Sequence, residues 1–198
     1  MAFFVEYEPN NTMDRNEFYK KHELIIRKSV FSDVAEIAKI NTARRGERGN
    51  YEEEYEYFKK RFEDKRLNKN EFFIASLIDR SNSDFPEKIV GYSFVEHCNF
   101  KSEEYKDYKN INTPSGWYLL GLGVYEEYRR LGIGSKLTEI RIQWAKENSD
   151  EKKVYFYTNP RNITSQEFHK ELGFKKIKGE WTFLNRPVFK TILFEIDI

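Results

Sequence analysis

Residues 129–135 combine two arginines with a pair of glycines, a set of residue types that can hold a phosphate group. The first backbone N–H groups of a helix have no partner within the helix and carry partial positive charge, so they suit an anion. Glycine allows the anion to approach the backbone without a Cβ in the way, and arginine adds the charge that a diphosphate requires. A helix is predicted to begin here because its apolar residues recur at helical spacing. They are Ile133, Leu137, Ile140 and Trp144.

Two common phosphate loops do not fit this run. A Walker loop requires Lys directly after its last glycine, whereas Ser135 follows Gly134. A dinucleotide fingerprint requires a third glycine where Leu137 stands. A plain strand-to-helix turn with incidental glycines is the remaining alternative to a diphosphate site.

The pattern that does fit is R-x-x-G-x-G, formed by Arg129, Gly132 and Gly134 behind an apolar strand. It resembles the acyl-CoA-binding signature of the GCN5-related N-acetyltransferases (GNAT). The resemblance implies acetyl-CoA as co-substrate, with no metal, and implies that the end of the strand and the turn bind it. The residues so assigned are Leu122, Gly123, Val124, Arg129, Arg130, Leu131, Gly132, Ile133, Gly134 and Ser135.

A second signature of the same family follows at residues 162–174, which read N-I-T-S-Q-E-F-H-K-E-L-G-F. In the family the Asn and the small residue three positions later face the arm of CoA, so Asn162 and Ser165 take that role by resemblance. The chain departs from the pattern at His169, where many members have a Tyr that protonates the departing thiolate. Histidine has a suitable pKa for that task. A hydrogen-bonded, inert residue on a half-buried helix face is the alternative for His169.

Acetyl transfer also requires a base for the amine and a donor for the developing oxyanion. The resemblance assigns the oxyanion to the backbone N–H of Val124. Candidates for the base are Glu96 and His97, which strand alternation sends to opposite faces. The predicted strand 117–124, where many members have a carboxylate, has none. For Glu96 the alternative is a solvated charge at the end of a strand. Cys98 is expected to be an unactivated thiol.

The resemblance implies that the acceptor site is lined by the first two helices of the domain, their loop and the approach to the fourth strand. A helix beginning at Tyr51 combines aromatic and acidic residues that would attract a cationic amine such as a polyamine, an aminoglycoside or a lysine side chain. The acidic residues are Glu52, Glu53, Glu54 and Glu56. A basic segment with Arg44, Arg45 and Arg48 precedes them and argues against a cationic acceptor. A glutamate run is also typical of a solvated helix face.

The predicted elements alternate in the order of the same family. Strands are expected at 24–27, 72–79, 89–97, 117–124, 154–158, 174–183 and 188–196, and helices from Ser32, from Tyr51, from the glycine pair to 148, and at 162–172. Residues 99–115 form a polar insertion that is predicted to hold one short helix. The order predicts a mixed sheet with helices on its faces, an α/β (α+β) fold. The resemblance implies its GNAT-like form, a mixed, mostly antiparallel sheet of six to seven strands flanked by about four helices. Residues 1–22 are predicted to be an extension, packed or loosely held, and 23–198 a single domain.

Composition excludes several function classes. Among 198 residues, 34 are Lys or Arg and 33 are Asp or Glu, so no global charge favours nucleic acid or an anionic membrane. The single cysteine excludes an internal disulfide and a cysteine metal cluster, and no apolar run approaches a membrane span. The prediction is a cytoplasmic N-acetyltransferase that transfers an acetyl group directly to a primary amine of a small molecule or protein. A CoA-binding or regulatory module of the same fold without turnover is the alternative, and a homodimer is one expected assembly.

Overall fold

The computed structural model describes residues 14–63, 70–81, 87–103, 112–179, 181 and 191–198. Its helices are α1 (Arg15–Lys21), α2 (Val34–Arg45), α3 (Tyr51–Glu63), α4 (Ile133–Glu147) and α5 (Ile163–Glu171). Its strands are β1 (His22–Lys28), β2 (Asn70–Asp79), β3 (Lys88–Cys98), β4 (Gly116–Val124), β5 (Lys153–Thr158), β6 (Lys175–Lys176) and β7 (Ile192–Asp197). No helix in these ranges is long and apolar enough to cross a membrane.

The strands form one sheet of seven strands in the order β1-β2-β3-β4-β5-β7-β6. Every neighbouring pair is antiparallel except β4 and β5, which are parallel. A parallel pair needs a crossover connection, and α4 supplies it. The predicted mixed, mostly antiparallel sheet is therefore confirmed.

Both faces of the sheet are covered because the central strands are apolar on both faces. Phe73, Ala75 and Val95 pack in one cluster with α1 and α4. Phe72, Ile74 and Phe94, their neighbours along β2 and β3, pack in the other cluster with α2 and α3. Alternation along the strand thus assigns each helix pair to its own face.

The C-terminal strands differ from the prediction. The strand expected at 174–183 is wrong in length, since β6 ends at Lys176. The Ile177 N–H still donates to the Leu193 carbonyl at 2.9 Å, and an isolated bridge joins Trp181 to Thr191. Residues 180 and 182–190, which include parts of both predicted C-terminal strands, lie outside the described residues. Gly179, with φ of 146°, lies where the chain has left the ladder. Residues 104–111 of the insertion predicted at 99–115, with any short helix there, lie outside the described residues, as do 82–86 of the predicted turn.

The N-terminal segment contributes to the fold from residue 14 onward. Asp14 caps α1, its Oδ1 accepting a hydrogen bond from the Asn16 N–H at 2.8 Å. Phe18 is buried in the α4-side core. Of the two states predicted for the extension, residues 15–21 adopt the packed one, and residues 1–13 lie outside the described ranges. The boundary between extension and domain stays a prediction.

Candidate active site

The sheet opens between β4 and β5. These strands pair only at Trp117 with Val154 and at Tyr118 with Tyr155. Beyond those pairs, β4 continues to Val124 and β5 to Thr158 with no pairing between them. The two strands therefore splay apart toward their C-terminal ends, and the backbone groups on the inner edge of each are left for a ligand.

A β-bulge at Gly121 shapes the inner edge of β4. The register with β3 shifts so that Phe94 pairs with Leu120 and Ser93 with Leu122, which leaves Gly121 without a partner. Its φ of 45° is in the left-handed region, and a Cβ at this position would overlap the Phe94 ring. Both constraints require glycine. The sequence offered a signal in the glycine within a strand pattern, although it could not give the register.

The hydrogen-bond pattern shows which way the end of β4 faces. The Tyr125 N–H donates to the Val90 carbonyl at 3.0 Å, so these two residues form a hydrogen-bonded pair. Such pairs alternate along an antiparallel ladder, so the N–H and C=O groups of Leu122 and Val124 point away from β3 and into the gap. A contact of Arg129 supports this orientation of the Val124 carbonyl, because Arg129 Nε donates to that carbonyl at 3.2 Å from outside the β3–β4 ladder.

The N-terminus of α4 closes one side of the gap. Its first hydrogen bond runs from the Lys136 N–H to the Gly132 carbonyl at 3.1 Å, so the N–H groups of Ile133, Gly134 and Ser135 have no acceptor within the helix. No side chain caps this end. Gly132 has φ of 84°, which favours glycine. The predicted helix start is confirmed, and no side chain accepts from its first N–H groups.

Gly134 lies opposite α5 across the gap. A Cβ on Gly134 would be 3.7 Å from Phe168 Cζ and 3.8 Å from Leu122 Cδ2, which are ordinary contacts. Glycine is therefore not needed here for packing. Arg129 and Arg130 on the turn before α4 are exposed, and Leu131 is buried.

The other signature, at 162–174, forms α5. Asn162 caps the helix, its Oδ1 accepting from the Ser165 N–H at 3.2 Å. This places Asn162 at the exposed start of the helix and Ser165, half-buried, one turn along. The capping bond uses the side-chain oxygen of Asn162 and leaves its amide N–H groups as donors. The roles of Asn162 and Ser165 toward CoA stay predictions.

Comparison with known proteins decides the family. Residues 35–174 match the acetyltransferase (GNAT) family. The chain belongs to this family. It is 28% identical over 168 residues to an N-alpha-acetyltransferase of Sulfurisphaera tokodaii, covering 84% of this chain and 89% of the relative. An N-alpha-acetyltransferase of Saccharolobus solfataricus is 25% identical over 166 residues, with the same coverage.

The fold comparison agrees with the family. The structure of NAA60 from Arabidopsis thaliana in complex with acetyl-CoA has a TM-score of 0.63 and 21% identity, covering 89% of this chain and 99% of that one. The predicted family, fold and activity class are confirmed: the chain is a GNAT acetyltransferase, whose chemistry is acetyl transfer from acetyl-CoA to an amine.

His169, the candidate acid of this acetyltransferase, is packed inside the domain. It is 3% exposed, and its ring stacks on Phe156 with the centroids 3.5 Å apart. Its Nδ1 lies 2.8 Å from the Ser165 carbonyl, so Nδ1 carries a proton and donates it there. Burial lowers the pKa of His169 to about 4, against the Ser165 hydrogen bond and with the help of the Arg141 charge. A neutral imidazole with its one N–H in use supports the structural alternative, and the acid role is left to experiment.

Glu96, the candidate base, is 5% exposed and forms an ion pair with Arg61. The alternative of a solvated charge is therefore wrong. The Arg61 guanidinium also lies over the Phe94 ring, 5.1 Å from its centroid. Burial works against the charge of Arg61, but the Glu96 carboxylate outweighs it and raises the pKa of Arg61. The ion pair engages Oε2 of Glu96, and the role of Glu96 as the base stays a prediction.

His97 faces the other side of the sheet, as alternation predicts. Its Nε2 lies 2.5 Å from Glu151 Oε1, within a separate cavity of about 590 Å³ that Trp117 and Trp144 also line. Cys98 is buried beside Tyr118 and Leu193, and the unactivated state of its thiol stays a prediction. Neither residue lies at the unpaired end of β4, where the gap opens.

Arg141 is a residue of the site that the sequence did not indicate. It is 1% exposed, and no ion pair with a carboxylate is found for it in the described part of the chain. Its Nη1 donates to the carbonyls of Phe94 at 3.4 Å and Leu120 at 3.2 Å, on the two strands beside the bulge. Burial lowers the pKa of Arg141 to about 9. The Arg141 side chain thus connects α4 by hydrogen bonds to the two strands at the Gly121 bulge.

The acidic residues predicted to face the acceptor do not form one surface, because one of the four is buried. Glu54 is 3% exposed and accepts a hydrogen bond from Asn41 Nδ2 at 2.5 Å, in an ion pair with Arg45. The Tyr92 hydroxyl donates to the Oδ1 of the same Asn41 at 2.6 Å. Glu54 therefore ties α3 to α2 instead of forming an acidic lip. The exposed residues of the run are Glu52, Glu53 and Glu56.

Proposed function

We propose that this acetyltransferase transfers the acetyl group of acetyl-CoA directly to the α-amino group at the N-terminus of a polypeptide. The observation that carries the proposal is the gap between β4 and β5, with the N–H groups of Leu122 and Val124 turned into it. Two relatives are named N-alpha-acetyltransferases, and each is similar to this chain over 84% of its length. Their names support an α-amino group as the acceptor.

In this proposal acetyl-CoA lies in the gap with its diphosphate on the N-terminus of α4. The free N–H groups of Ile133, Gly134 and Ser135 bind the diphosphate, and Arg129 and Arg130 supply charge. The pantetheine arm follows the inner edge of β4, where an amide of the arm can pair with Leu122 as a strand would. The Val124 N–H is then left for the thioester carbonyl, since the Val124 carbonyl accepts from Arg129. Asn162 and Ser165 line the opposite side.

The reaction begins when the neutral amine attacks the thioester carbonyl carbon. The carbonyl oxygen gains negative charge, and the Val124 N–H stabilises it. Collapse of this intermediate re-forms the carbonyl and breaks the carbon–sulfur bond, so CoA leaves as a thiolate. The nitrogen loses a proton to water or to Glu96, and the thiolate gains one from water or from His169.

The chemistry of the amine favours an N-terminus over a lysine. An α-amino group has a pKa of about 8, whereas a lysine has one of about 10.4, so at pH 7 about a tenth of the former and under a thousandth of the latter is neutral. Glu96 is held by Arg61, and β4 has no carboxylate. An acceptor that needs little help from a base is the one that fits this site.

Location and assembly are part of the same proposal. We propose a cytoplasmic enzyme, supported by a single cysteine that is buried, with residues 23–198 as its catalytic domain. A homodimer is the assembly we would test first. The near-neutral charge of +1 supports polypeptide rather than nucleic acid as the macromolecular partner.

Release of free CoA thiol with defined acceptors tests the proposal. A peptide with a free N-terminus should release thiol, whereas the same peptide with a blocked N-terminus and an internal lysine should release little. A polyamine serves as the small-molecule control. Equal rates with the blocked peptide would move the acceptor to a lysine. Binding of acetyl-CoA without thiol release from any acceptor would favour the alternative, a CoA-binding module without turnover.

A further inference from the structure

Helix α1 precedes the part of the chain that matches the family. It is anchored beside the turn before α4, residues 129–132, which is the proposed diphosphate site. Phe18 is 4% exposed and stacks on His22 with centroids 4.3 Å apart. One residue later, the Tyr19 hydroxyl donates to the Leu131 carbonyl at 2.9 Å. The first contact fixes α1 to the core, and the second fixes it to the turn that leads into α4.

This anchoring places Arg15 over Gly132. A Cβ on Gly132 would lie 2.6 Å from Nη2 and 2.7 Å from Cζ of Arg15, so the guanidinium occupies the space beside the glycine backbone. The same guanidinium lies 6.0 Å from the centroid of the Tyr19 ring. Arg15 therefore reaches the turn from outside the R-x-x-G-x-G signature.

The charges around Arg15 leave it available for an anion. In the described ranges no carboxylate is found in an ion pair with Arg15, and the acid of its own helix, Glu17, binds Lys20 at 2.5 Å. Lys136, whose charge acts with that of Arg15 on the Tyr19 hydroxyl, is paired with Glu139 at 2.9 Å.

The acids nearest along the turn do not neutralise Arg15 by contact. Glu126 and Glu127 are exposed on the short helix before Arg129. The charge of Glu127 acts on Lys88, on β3. With Arg129 and Arg130 exposed on the same turn, positive charge is concentrated here in a chain whose formal charge is only +1.

We propose that Arg15 is a binding residue for acetyl-CoA and that its guanidinium contacts a phosphate group of the cofactor at the N-terminus of α4. This inference rests on the proposed function of the turn. The planar, forked guanidinium suits a phosphate better than a point charge does. Helix α1 is then a part of the cofactor site, and the contact anchors the ligand without taking part in the reaction.

The test compares the dissociation constants of wild type, Arg15→Ala and Arg15→Gln for acetyl-CoA by calorimetry at low salt. We expect both variants to bind roughly three- to tenfold more weakly, since they lose a charge-assisted contact that is partly exposed to solvent. The difference from wild type should shrink as salt is raised, because salt screens exposed charges. Lys21→Ala is the matched control, since it removes the same charge from the same helix at a residue whose charge acts on Asp79.

Dephospho-acetyl-CoA, which lacks the 3′-phosphate, identifies the phosphate group. The same loss with this ligand would assign Arg15 to the diphosphate, and a loss that disappears would assign it to the 3′-phosphate. Unchanged affinity for both ligands in both Arg15 variants, with wild-type binding intact, would overturn the inference alone. Failure of the wild type to bind acetyl-CoA would overturn the proposed function itself. Melting without ligand, in which each variant should match wild type, separates a lost contact from a lost fold.

Discussion

At the scale of single residues, His169 shows how packing changes the meaning of a residue type. Histidine near neutrality suits proton transfer in principle. Here the ring stacks on Phe156 and gives its Nδ1 proton to the Ser165 carbonyl, and burial lowers its pKa to about 4. The imidazole is therefore neutral at the pH where the enzyme would work. Its place on the helix face could be predicted from spacing, whereas its protonation state depends on contacts that only the fold supplies.

His169→Phe tests this reading through stability. The folded-state pKa of His169 is below the unfolded value of about 6.5. A proton therefore favours the unfolded chain, and the stabilisation present above pH 6.5 is lost as pH falls toward 4. Over this window the free energy of unfolding of wild type should fall by roughly 3 kcal/mol at most relative to that of the variant. Urea unfolding of both proteins at several pH values measures this difference. A difference that does not vary with pH would contradict the depressed pKa.

Turnover of the same variant separates the structural role from the acid role. We expect kcat of His169→Phe to stay within about threefold of wild type, because the neutral ring holds its one proton in the hydrogen bond to the Ser165 carbonyl. Loss of a general acid costs about a hundredfold or more. A fall of that size, with the affinity for acetyl-CoA unchanged, would restore His169 as the acid.

Arg141 could not be found from the sequence for a related reason. The apolar stripe of α4 predicts that Ile133, Leu137, Ile140 and Trp144 face the core, and Ile133 and Leu137 are indeed buried. The helix is rotated, however, so that Arg141 and Ala145 are buried while Trp144 packs at the flank. A buried guanidinium breaks the hydrophobic pattern on which such a prediction depends. It is tolerated because carbonyl groups of β3 and β4 accept its hydrogen bonds.

At the scale of elements, some features of the region where β4, α4 and α5 come together could be predicted from the sequence, and others could not. The strand, the turn and both helices follow from periodicity and from helix-start signals, and the structure confirms them. The bulge depends on the register between β3 and β4, which is set by packing over distant residues. The short length of β6 likewise reflects how the chain leaves the sheet edge near Gly179.

Gly134 offers a test of the gap as a cofactor site, through two substitutions that differ in size. Gly134→Ala adds a Cβ at ordinary contact distance from Phe168 and Leu122, so it should fold and bind acetyl-CoA within a fewfold of wild type. It should also gain up to about 1 kcal/mol of stability, since alanine is the better helix former. Gly134→Trp fills the gap and should weaken binding by roughly a hundredfold or more. Calorimetry measures the binding, and acetyl-CoA affinity unchanged in Gly134→Trp would place the cofactor elsewhere.

At the scale of the whole molecule, the proposed acetyl-CoA site joins parts that are far apart in the chain. The N-terminus of α4, the inner edge of β4 and the start of α5 all border the gap, and α1 contacts the turn from the N-terminal side. A ligand that binds this arrangement has no affinity for the unfolded chain. Binding must therefore raise the free energy of unfolding of the entire domain, and the effect depends on the ratio of ligand concentration to Kd.

Thermal melting with acetyl-CoA measures this linkage. At a free concentration of about a hundred times Kd the ligand should add roughly 2.7 kcal/mol, a rise in Tm of a few degrees for a domain of this size. NAD and ATP are the matched controls, since each carries adenine and a diphosphate but lacks the pantetheine arm that would pair with β4. An equal shift with all three would mean that the turn before α4 binds phosphate without selecting CoA. A shift with acetyl-CoA alone requires contacts beyond the turn, because the three ligands differ in the pantetheine arm that would lie along β4 and in the 3′-phosphate.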